Sequence, residues 1–87
     1  VNKWIKQKVI EEFKDSEHDL VINLLAKIHL NDVWNSAADL DSTQESILIL
    51  AKGSVHRVRS LVKSAKVDFR DVVAAASTDP AVKPKLP

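Results

Sequence analysis

Eighty-seven residues, 45% hydrophobic and 29% charged, are enough for one small core and exclude both a two-domain chain and a disordered one. A single glycine, Gly53, excludes the glycine-rich loops that cradle nucleotide phosphates, and the absence of cysteine excludes disulfides, thiolate nucleophiles and sulfur-liganded zinc. The net charge of +1 is close to neutral and by itself selects no partner.

Apolar residues at Trp4, Ile5, Val9, Ile10 and Phe13 recur at helical spacing and predict a first helix. Asp15 and Ser16 offer acceptors for the free amides of a second helix. Its buried face is expected to be Leu20, Val21, Leu24, Leu25 and Ile28, widened by Ile22, with an end near Leu30 and Asn31. Residues 31–41 mix turn formers with Val33, Trp34 and Leu40 and are expected to form a short helix or a packed loop. Ser42-Thr43-Gln44-Glu45 reads as a capping box that starts a further helix over Ile47 to Ala51. Its two isoleucines would also suit a strand, but the box before them and Gly53 after them argue helix.

Ser54 is placed to cap the next helix, whose apolar positions are Val55, Val58, Leu61, Val62 and Ala65. Asp68 is expected to cap a last one, with Asp71 at its third position and Val67 stapled onto Val72. Thr78-Asp79-Pro80 should stop it. The expectation is an all-α compact bundle of four to five short helices over residues 1–77, with an extended or disordered tail over 78–87. No apolar run approaches the roughly 20 residues of a membrane span. The sequence lacks methionine and opens Val1-Asn2-Lys3-Trp4, so a natural start upstream is expected.

Charge is unevenly distributed along the chain. From Glu11 to Glu45 nine acids face only Lys14 and Lys27, whereas from Lys52 to Arg70 six bases face only Asp68. His56, Arg59, Lys63 and Lys66 recur at intervals of three and four and share one helix face. With Arg57 and Arg70 they are the candidate contacts to an anion or a partner. A helix-turn-helix reading around Gly53 fits only in part, because the second helix offers arginines but neither asparagine nor glutamine for adenine.

Catalytic and metal chemistry is thinly represented. His18, His29 and His56 lack a glycine-framed nucleophile turn, and Asp15-x-x-His18 is one copy of a pairing that helical di-iron sites use twice. No enzyme activity, cofactor or metal is expected. The stretch Glu45 to Ser77, with Gly53 in its turn and Asp68-Phe69-Arg70-Asp71-Val72-Val73 at its last helix start, resembles a group of small uncharacterised bacterial all-helical proteins. The resemblance implies a bacterial, cytoplasmic, all-helical protein without assigned activity. Within the cluster, Asp68 is expected to cap, Phe69 to fill core and Arg70 to pair with an acid across the bundle. The leading functional expectation is a non-catalytic module that binds a protein partner or pairs with itself as a homodimer. The alternative is nucleic-acid binding through the basic stripe.

Overall fold

The computed structural model describes residues 1–79. In chain order they form α1 (Lys3–Glu12), a 3₁₀ turn (Asp15–Glu17), α2 (His18–Leu25), a second 3₁₀ turn (Leu30–Val33), α3 (Ala37–Ala51) and α4 (Val55–Ser77). The described residues are all-α and contain no strand. The part of the expected tail at residues 80–87 lies outside them.

α1 is capped by Asn2, whose Oδ1 accepts a 2.8 Å hydrogen bond from the Ile5 amide. Ile5, Val9 and Phe13 enter the core, while Trp4 and Ile10, expected on the same stripe, are each 51% exposed. The reason is angular: residues 5, 9 and 13 lie on one face, and residues 4 and 10 fall on its two sides.

α2 is shorter than its sequence suggests. Asp15 and Ser16 fall at the start of the 3₁₀ turn and do not cap the helix. The helix ends at Leu25 rather than near Leu30, because the amides of Lys27 and Ile28 bond back three residues, to the carbonyls of Leu24 and Leu25. This tightening still delivers Ile28 to the core beside Val21, Leu24 and Leu25. Leu20, expected in that face, is 38% exposed.

The Ser42 to Glu45 box does not start α3. The helix begins five residues earlier at Ala37, where Ser36 Oγ accepts from the Asp39 amide at 3.2 Å. Leu40, Thr43, Gln44, Ile47, Leu48 and Ala51 then follow one another at helical spacing toward the core, and Thr43 and Gln44 are buried. Thr43 Oγ1 and Ser46 Oγ donate to the carbonyls of Asp39 and Ser42, four residues back, so their hydroxyls cost little inside the bundle. Residues 31–41 therefore divide between the second 3₁₀ turn, a left-handed pair at Trp34 and Asn35, and the first turns of α3.

Lys52 and Gly53 both take positive φ and turn the chain into α4, with Ser54 Oγ capping through the Arg57 amide. α4 is broken at Asp68, which is extended at φ −155° and ψ 101°. That residue caps the following turn as expected, its Oδ1 accepting from the Arg70 amide at 3.1 Å. Val67, however, is 89% exposed and makes no staple onto Val72. Residues 55–67 pack along α2 and the second 3₁₀ turn. Residues 69–77 run beside α3 in the same direction, with Phe69 and Arg70 near Asp39, Ala76 and Ser77 near Ile49, and Asp79 paired to Lys52 at 3.0 Å.

Candidate interaction surfaces

The six basic residues singled out in the sequence fall into three separate places. His56, Arg59 and Lys63 line a shallow depression of about 250 Å³ on α4. Arg59 and Lys63 also border a furrow of about 200 Å³ between α2 and α4, joined there by Lys27 and Lys66. Its floor is Leu24 and Val62, both buried. The stripe is thus one continuous exposed face, widened by a cation from α2 that its sequence position did not associate with the others.

The cations of this face differ in their engagement. Lys66 Nζ donates to the Lys27 carbonyl at 2.9 Å and to Asp32 Oδ2 at 3.0 Å, which ties the second 3₁₀ turn to α4. Asp32 also accepts from the His29 amide at 2.8 Å. That backbone bond first, and the Lys66 ammonium second, hold the Asp32 carboxyl below its ordinary value. The side chains of Lys27, Arg59 and Lys63 have no hydrogen-bond or ion-pair partner among the described residues. The acidic first half therefore neutralises one cation of the stripe and leaves its centre open. Arg57, two residues from Arg59, is exposed on a different face of α4 and borders neither depression.

Arg70 belongs elsewhere. Its Nε and NH2 donate to the two carboxylate oxygens of Asp68, each at 2.9 Å, so its partner is its own neighbour and not an acid across the bundle. A carboxylate and a guanidinium two residues apart meet because the extended Asp68 backbone brings them together. Each stabilises the other's charged form, chiefly through these side-chain bonds: the Asp68 carboxyl lies below its ordinary value and the Arg70 guanidinium above.

The guanidinium also lies over the Trp34 ring, 4.8 Å from its centroid. Trp34 meets Phe69 edge-on, with centroids 5.2 Å apart and planes at 86°. These three residues line a cleft of about 330 Å³ together with Asp39, Val73, Ala74 and Ser77. Asp39 has no side-chain hydrogen bond or ion pair among the described residues. Trp34 is 65% exposed although its backbone is left-handed at φ 57°, a conformation that bulky side chains rarely hold. Trp34, expected within a short helix or packed loop over residues 31–41, is the left-handed residue that ends the second 3₁₀ turn, and nothing in its local pattern announces contact with Phe69, 35 positions away.

The histidines are placed structurally. His18 Nε2 donates to the Phe13 carbonyl at 2.8 Å and so ties α2 to the end of α1. His29, expected in the last turn of α2, lies beyond that helix in extended backbone. Among the described residues no group of three or more His, Asp or Glu side chains is placed to hold a metal ion, and no helix is long and apolar enough to cross a membrane. Comparison of the chain with protein-family models, curated proteins and solved structures finds no match.

Proposed function

We propose that this chain is a non-catalytic helical module that pairs with a second copy of itself through the Trp34 cleft. The observation that carries the reading is the cleft's own complementarity. Arg70, held in place by Asp68, and Asp39, which has no side-chain partner among the described residues, both line it, together with exposed Trp34 and the apolar Phe69 and Val73. In a two-fold interface the same patch meets itself, so Arg70 of one copy would face Asp39 of the other, twice. The Trp34 ring would be the central anchor, a residue type favoured at the middle of interfaces.

Size supports the same reading. A domain this small has little core to stabilise it, and pairing would withdraw further apolar surface from water. The test is sedimentation velocity over a wide concentration range, comparing the native chain with Trp34→Ala. The native chain should move from monomer to dimer as concentration rises, and the variant should stay monomeric while keeping its helical circular dichroism. A native chain that stays monomeric at the highest concentration reached would overturn the reading.

A further inference from the structure

The furrow between α2 and α4 shares no residue with the cleft, and its chemistry differs. It is a row of cations with no acid among its lining residues, and the Asp32 carboxylate beside it is bound to Lys66. From His56 to Lys66 the row spans about 15 Å of helix, with a basic residue at roughly every 5 Å. Lys27, on α2, lies beside that row. A single carboxylate or a small anion would use one member of it. A regular line of charge fits a polyanion with closely spaced negative groups.

We propose that this face binds the phosphate backbone of duplex nucleic acid, DNA or RNA, through Lys27, Arg59 and Lys63. The absence of Trp and Phe from its lining decides between forms of nucleic acid, because single strands are held largely by bases stacked on aromatic rings. His56 stands at one end of the row, and a single imidazole there makes no run of stacking positions. Contacts to phosphate alone orient a protein on a duplex without reading its sequence, so the binding is expected to be weak, sequence-independent and strongly dependent on salt. This inference stands apart from the self-pairing, and a variant of residues 59 and 63 leaves every residue of the cleft in place.

The test is fluorescence anisotropy with a labelled duplex of DNA, the same sequence as duplex RNA, and each as a single strand, beside labelled polyglutamate. Release of about three counterions gives a slope near −2.7 in log affinity against log salt, or about a 40-fold loss between 50 and 200 mM salt. In Arg59→Ala/Lys63→Ala the slope should shrink to about −0.9 and affinity at low salt should fall at least about tenfold. Arg59→Lys/Lys63→Arg, which keeps both charges, should retain binding. Comparison of the two duplexes shows which nucleic acid is held. Absence of duplex binding at low salt, or an alanine variant that binds as the native chain does, would overturn the proposal. So would polyglutamate or a single strand binding as tightly as the duplex at equal charge.

Discussion

The rings of Trp34 and Phe69 meet edge-to-face across 5.2 Å, joining the left-handed bend before α3 to the first residue after the break in α4. Phe69 is buried and Trp34 is not, so one contact carries two different energetic roles. Phe69→Ala should cost about 3–5 kcal/mol, as emptying a core aromatic site does. Trp34→Gly loses a ring contact of about 0.5–1.5 kcal/mol but relieves a strained backbone of similar magnitude. Urea denaturation should therefore show a large loss for the first variant and a change within about 1 kcal/mol for the second, with self-pairing lost in the second.

Gly53 turns the chain at φ +80°, and a Cβ there would stand 3.1 Å from the Glu12 carbonyl oxygen. That oxygen is backbone at the end of α1 and has little freedom to retreat. Gly53→Ala therefore combines an unfavourable φ with a tight contact, and should lower stability by about 1–3 kcal/mol in thermal or urea unfolding. An unchanged midpoint would mean that α1 does not pack against this turn.

Gln44 is buried, its Nε2 donating to the Leu25 carbonyl at 3.3 Å while its Oε1 has no donor among the described residues. The same carbonyl already accepts from the Ile28 amide at 3.1 Å. Removing the amide thus orphans nothing and eliminates an unsatisfied acceptor. Gln44→Met, close in length, should be neutral or stabilising by about 1 kcal/mol. A loss of more than about 2 kcal/mol would show that the amide specifies how α2 and α3 pack.

Asp32 gives the fold an acid-sensitive tie. Its carboxyl lies below the ordinary value because of the His29 amide and then the Lys66 ammonium, so the folded state binds this proton more weakly than the unfolded chain does. The stabilisation is present above the unfolded carboxylate value, near about pH 4, and is lost as pH falls through the lower folded value. Asp32→Asn should be less stable than the native chain at neutral pH by about 1 kcal/mol, the tie being partly solvent-screened. Unfolding midpoints measured from neutral pH down to about pH 2 should show this gap closing.

Much of the bundle was legible where apolar residues mark the stripe, as in α2 and in α4 on either side of Asp68. Its caps at Ser54 and Asp68 were legible too, since each is a short polar residue just before an apolar run. The start of α3 was not, because two of its core positions are filled by Thr43 and Gln44, which read as polar and hide a turn of the buried stripe. Ser42 and Glu45 then imitate a cap from inside the helix. The basic stripe could be read along α4, but not its engagement: that Lys66 is held by Asp32 and that Lys27 joins the row depend on how α2 crosses α4. The cleft was invisible for the same reason, its members coming from a loop, α3 and the far side of a break.

Self-pairing through the cleft is tested most directly by exchanging its two charges. Arg70→Asp and Asp39→Arg would each place like charges opposite one another in a two-fold interface, and the double exchange would restore opposite ones. Sedimentation velocity should show the dimer weakened in each single variant and recovered in the double, with circular dichroism confirming folded protein throughout. A double variant no better paired than the single ones, or single variants that pair as the native chain does, would contradict the account.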